Sequence, residues 1–141
     1  MVKKWCQLTS SAQGSSGVKT TKEIGGKAER FAQQYIRKQG LKVLATNVGY
    51  PFGEIDLIAE DGNELVFIEV RFRSGRSHGT AVETVQRSKQ RRIALASQAW
   101  LAGNRAYQNH YCRFDLIAID AVIDSKHTNW EKNAFQTPGY Q

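Results

Sequence analysis

Asp56, Glu69 and Arg71 are the residues whose types and spacing could do chemistry in this chain. They fall in two β-type runs, Glu54 to Ala59 and Leu65 to Phe72, separated by Asp61-Gly62-Asn63-Glu64. Gly-Asn is a favourable pair for a two-residue type II′ hairpin turn. With that turn, Asp56 stands opposite Glu69 and Glu54 opposite Arg71, with facing Cβ atoms about 5 Å apart. Strand alternation then sorts the hairpin into two faces. Ile55, Leu57, Val66, Ile68 and Val70 make the apolar one, and Glu54, Asp56, Glu69 and Arg71 the polar one, with Ile58 and Phe67 beyond them. Facing carboxylates repel unless a cation lies between them. Mg²⁺ or Mn²⁺ suits such a pair, taking oxygen ligands from one or two carboxylates and the rest from water and a substrate phosphate. Such an ion activates water for phosphodiester hydrolysis. The alternative is a solvated strand whose acids pair with Arg71 and Arg73. The metal reading depends on register, because a one-residue slip would separate Asp56 from Glu69.

The elements that must position these residues follow from periodicity. Ile24, Ala28, Phe31, Ala32, Tyr35 and Ile36 recur at helical spacing, with Gly40 as the stop. A short apolar segment, Leu41 to Asn47, leads through a Gly- and Pro-rich loop at residues 49–53 into the hairpin. A second helix is expected from about Ser88 to Leu101, with Ile93, Ala96, Ala99 and Trp100 on its apolar stripe. Cys112 to Asp120 reads as a last strand. The order is α-β-β-β-α-β, an α/β fold with a mixed central sheet flanked by helices. Residues 1–22 read as a flexible basic arm, 23–123 as one domain and 124–141 as a polar, loosely ordered tail.

The 141 residues, 40% hydrophobic and 23% charged, fit a globular domain. No apolar run approaches the ~20 residues that span a bilayer, and the N-terminus has no signal-peptide core, so a cytoplasmic protein with no membrane partner is expected. Cys6 and Cys112 lack metal-ligand spacing and read as reduced thiols. His78, His110 and His127 likewise show no metal spacing. The net charge of +7 is unevenly spread. Residues 71–92 carry Arg71, Arg73, Arg76, Arg87, Lys89, Arg91 and Arg92 against Glu83 alone, directly after an acid-rich segment. A basic block of this kind is expected where a phosphate backbone binds. A solvated surface, or a face for an acidic protein partner, would carry the same charges.

Gly53-Glu54-Ile55-Asp56-Leu57-Ile58-Ala59 and Leu65-Val66-Phe67-Ile68-Glu69-Val70-Arg71-Phe72-Arg73 resemble the signature of the bacterial YraN family. Ala28-Glu29, Ser88-Lys89-Gln90 and Arg113-Phe114-Asp115 extend the resemblance over roughly Gly25 to Asp120. That family is similar to the restriction-endonuclease-like nucleases, near the archaeal Holliday-junction resolvases. The resemblance implies the same α-β-β-β-α-β core and a Mg²⁺-dependent endonuclease acting on structured or branched DNA, with a homodimer as the assembly common among junction-cleaving relatives. It also implies Asp56 and Glu69 as metal ligands and Glu29 as the helical acid of the superfamily motif. Arg71 stands where the superfamily usually has Lys. Arginine stays protonated and cannot act as a base, but it can hold a scissile phosphate. Lys89, one turn before Ile93 on the same helical stripe, is a substitute lysine. Arg71, Arg73, Arg76, Arg87, Arg91 and Arg92 are the expected nucleic-acid contacts. A catalytically inactive nuclease-fold module that binds DNA or RNA is the alternative, and Arg71 is its best support.

Overall fold

A computed structural model of the chain describes residues 20–74 and 85–136. The basic arm up to residue 19, Arg76 and His78 lie outside them. The described elements run α1 (Thr21–Lys38), β1 (Lys42–Tyr50), β2 (Gly53–Asp61), β3 (Glu64–Arg73), α2 (Arg87–Ala102), β4 (Tyr111–Asp120) and β5 (Thr128–Glu131). The sheet has the order β1-β2-β3-β4-β5, antiparallel except for the β3–β4 pair. That parallel pair is joined by α2, as a crossover requires. The expected α-β-β-β-α-β order and mixed sheet are present.

Local sequence explains where α1 begins and ends. Thr20 Oγ1 accepts from the Glu23 amide at 3.2 Å, and the Glu23 carboxylate accepts from the Thr20 amide at 2.8 Å. This capping box starts the helix inside the segment assigned above to the arm, and its Thr-x-x-Glu signal is visible in the sequence. At the other end Gly40 takes φ 95°, and the Leu41 and Gly40 amides bond the Ile36 and Arg37 carbonyls. Leu41 and Ile36 then pack in the same core cluster.

Each helix covers one face of the sheet. Ala28, Ala32 and Ile36 of α1 pack on Leu57, Ala59, Val66, Ile68, Ile117 and Ile119, with Val70 and Phe72 at the margin. Ile93, Ala96 and Trp100 of α2 pack on Val48, Ile55, Ile58, Leu65, Phe67 and Phe114. Three expectations change. The apolar segment after α1 continues to Tyr50, where a turn at Pro51-Phe52 reverses the chain, with Tyr50 paired to Gly53. Ile55 lies on the α2 face and not beside Leu57, because alternation in β2 breaks at Asp56. Residues 124–136 are not a loose tail: Thr128–Glu131 pairs with Leu116–Ile119 as a fifth strand.

Candidate functional site

The hairpin forms in the expected register, Leu57 opposite Ile68 through Asp61 opposite Glu64. Gly62 takes φ 58° and Asn63 does not share a positive φ, the pattern of a type II′ turn. Beyond Leu57 and Ile68 the ladder gives way. Asp56 Oδ2 accepts from the Val70 amide at 2.8 Å, so a side chain replaces the backbone bond. Across β1, Asn47 sits at φ 50° between the pairs Thr46–Leu57 and Val48–Ile55. This kink carries Asp56 out of strict alternation and explains the reversed facing of Ile55.

The kink opens a cleft of about 460 Å³ lined by Tyr50, Pro51, Phe52, Gly53, Glu54, Asp56, Glu69, Lys89 and Arg92. Asp56 and Glu69, 8% and 7% exposed, line its floor together. Lys89 Nζ lies 2.7 Å from Glu69 Oε2. The contact is ionic in distance but lacks hydrogen-bond geometry, so this buried oxygen has no hydrogen-bond partner among the described residues. Such an atom is costly unless a further group completes it.

Electrostatics show the same crowding. Burial pushes the Asp56 carboxyl well above the usual aspartate range, and Glu69 and Glu29 push it further against the Val70 amide. Glu29 is raised by burial and by Glu54 and Glu69, while a hydrogen bond from Asn47 opposes. Glu54, at the rim and open to solvent, is raised by partial desolvation and Glu69, with Lys89 opposing. Three carboxyls raised in the fold contribute stability that is fully present below the unfolded carboxylate range. It is lost as pH rises through their folded values. In EDTA the melting temperature should therefore fall as pH rises above the ordinary carboxylate range. Differential scanning calorimetry reads this directly. A flat profile would mean the carboxylates do not repel.

The structure thus brings together Asp56, Glu69, Lys89 and Arg92, with Glu29 electrostatically coupled from α1. Arg71 follows Glu69 on the α2 face, since Val70 and Phe72 pack on the α1 side, but it does not line the cleft. Arg87 and Arg91 are exposed on the first turns of α2, and Arg73 ends β3 beside Asp120. Asn47 and Glu54 join the site without having been singled out. A polar residue just before a Gly-Tyr-Pro turn was Asn47's only sequence signal. Among the described histidines, His110 pairs with Glu60 and His127 with Asp124, both away from the cleft.

Residues 28–119 match the uncharacterised protein family UPF0102. The chain belongs to this family, the one called YraN above. A UPF0102 protein of Vibrio cholerae serotype O1 is 46% identical over 112 residues, covering 78% of this chain and 89% of the relative. One from Francisella tularensis subsp. tularensis is 45% identical over 116 residues, covering 82% and 96%. One from a Marinomonas species is 43% identical over 117 residues, covering 83% and 91%. The family match takes in the whole carboxylate site, from Glu29 on α1 to Lys89 and Arg92 on α2. No described helix is long and apolar enough to cross a membrane.

Two buried carboxylates facing an open cleft, an all-oxygen donor set, suit a hard divalent cation. Among the described residues no group of three or more His, Cys, Asp or Glu side chains is arranged to hold a metal by itself. Two carboxylates suffice for Mg²⁺, which keeps several waters and fills its shell with substrate phosphate.

Proposed function

We propose that the cleft is the active site of a Mg²⁺- or Mn²⁺-dependent endonuclease that hydrolyses phosphodiesters in structured or branched DNA. The observation that carries this reading is the buried Asp56–Glu69 pair, with Lys89 its ion-pair partner at Glu69, in an open cleft. Asp56 and Glu69 would hold the ion. Bound there, the ion would lower the pKa of an attacking water and offset charge on the phosphate. Glu29 and Glu54 deepen the negative potential that draws a cation in.

Lys89 supplies a cation next to the carboxylates. Its ammonium is held at Glu69 with 44% of the side chain exposed, so it can reach an incoming phosphate. Arg92 beside it, and Arg87 and Arg91 along the same helix, attract and align the backbone. Asn47 positions Glu29 and, through the β1 kink, Asp56. The resemblance to junction-cleaving nucleases supports branched DNA as the substrate and a homodimer as the acting form.

Purified protein is to be incubated with fork, four-way-junction and single-stranded DNA under Mg²⁺, Mn²⁺ and EDTA. Metal-dependent cleavage is expected, and Lys89→Ala should slow it about 100-fold, the scale of losing one charge-stabilising group. A protein that binds these substrates in a salt-sensitive way, yet cuts none with either metal, would be a binding module on a nuclease fold. In it, the Lys89–Glu69 pair would be the permanent occupant of the site.

A further inference from the structure

The cleft has a second wall that phosphodiester chemistry does not use. Tyr50 and Phe52 flank Pro51 at the β1–β2 turn and lie parallel and offset, ring centroids 5.4 Å apart and planes within 5°. Both line the cleft that holds Asp56, Glu69, Lys89 and Arg92. Phe52 remains 42% exposed, so much of its ring contributes nothing to the core. The turn that carries it is nonetheless held firmly against the protein. A Cβ added at Gly53 would lie 2.2 Å from the Arg92 carbonyl oxygen, so β2 starts with its backbone pressed on α2. Only glycine permits that approach. The rings are thereby fixed beside the cationic side chains of α2.

Flat rings at a fixed place next to lysine and arginine match the way single-stranded nucleic acid is bound. Bases stack on aromatic side chains while cations follow the backbone. The offset leaves much of the Phe52 ring open, so a base can stack on it beside Tyr50. The cleft's volume lies within the ~300–1,000 Å³ typical of small-ligand sites. Bases inside an intact duplex are already stacked and offer no free face.

We propose that Tyr50 and Phe52 form a stacking platform for an unpaired nucleobase whose adjoining phosphate meets Lys89 and Arg92. This rests on the nucleic-acid reading of the cleft and adds a substrate class to it: strands with unpaired bases, such as flaps, gaps or the opened arms of a branch.

The test measures binding in EDTA by fluorescence anisotropy, so that cleavage plays no part. The probes are a short labelled oligothymidylate, an abasic strand of equal length and charge, and a blunt duplex, with a ribose strand alongside because stacking is indifferent to the sugar. The wild-type protein should prefer base-bearing strands over the abasic strand and the duplex. Phe52→Ala, and Tyr50→Ala with Phe52→Ala, should weaken base-bearing strands by roughly 5- to 100-fold and leave the other two probes unchanged. Phe52→Trp should keep wild-type affinity. Circular dichroism melts check that the variants fold, and Phe52→Ala at an exposed position keeps the test open if the double variant does not.

Equal weakening on abasic and base-bearing strands would overturn the platform, as would a wild-type protein that does not distinguish them. The two readings fail separately. A protein that discriminates bases in EDTA but never cuts DNA retains the platform and loses the nuclease. One that cuts, with Phe52→Ala binding every probe as the wild type does, loses the platform alone.

Discussion

Asp56→Asn and Glu69→Gln should each lower metal-dependent cleavage by at least about 100-fold, while Asp56→Asn, which leaves the Lys89–Glu69 ion pair in place, raises the melting temperature in EDTA. The loss follows from removing one of two charged oxygen donors where the geometry offers few others. The gain follows from the repulsion that raises Asp56 in the folded state. Asparagine retains an oxygen to accept the Val70 amide bond now made by Asp56 Oδ2, so the kink in β2 should survive. Neutralising Glu69 also removes its push on Glu29 and Glu54. The opposite signs of these two effects identify a functional site, because evolution retains such repulsion only where charge is used. Isothermal titration with Mn²⁺ adds a readout independent of turnover: heat seen with the wild-type protein should vanish in both variants. Cleavage surviving unchanged in either variant would remove Asp56 and Glu69 from the chemistry. An unchanged melting temperature would remove the repulsion argument.

Asp115→Ala should destabilise the fold by about 3–5 kcal/mol, the scale of breaking a buried ion pair from one side. Asp115 is fully buried on β4. Its two oxygens accept from Arg113 Nε at 3.1 and 3.2 Å, Trp130 Nε1 at 2.9 Å and the Asn133 amide at 3.0 Å. Arg113 in turn reaches Glu64 at 2.7 Å and Asp61 at 3.0 Å, the two residues flanking the hairpin turn. Burial opposes the guanidinium's charge, but Asp115, Asp61 and Glu64 more than offset it, so its pKa is raised. One aspartate therefore ties the β2–β3 turn, β4 and the β5 segment together. Truncating it leaves the buried Arg113 Nε and the part-buried Trp130 Nε1 and Asn133 amide without their acceptor. Urea unfolding followed by tryptophan fluorescence measures the loss, and the Trp130 signal should change before global unfolding as β5 detaches. A loss under 1 kcal/mol would show that water replaces the carboxylate freely. Asp115→Leu combined with Arg113→Met should recover much of the stability, since an apolar pair of similar volume avoids desolvating two charges.

The sequence by itself determined the order of elements, the hairpin register and the identity of the facing carboxylates. These depend on local signals: period-3.6 and period-2 patterns, a Gly-Asn turn that fixes pairing, and glycine where a helix must end. The basic block at the start of α2 was equally local. Tertiary structure decided which cation meets Glu69. Alternation places Arg71 on the face of Glu69, but no local pattern reports that α2 brings Lys89 in from across the sheet. It also decided the kink at Asp56, because a side chain taking over a backbone hydrogen bond leaves no mark in a pattern of apolar and polar residues. Residues 128–131 became a strand for a similar reason. Their polar composition predicts no strand, and it is Asp115, holding Trp130 and Asn133 from a different element, that orders them.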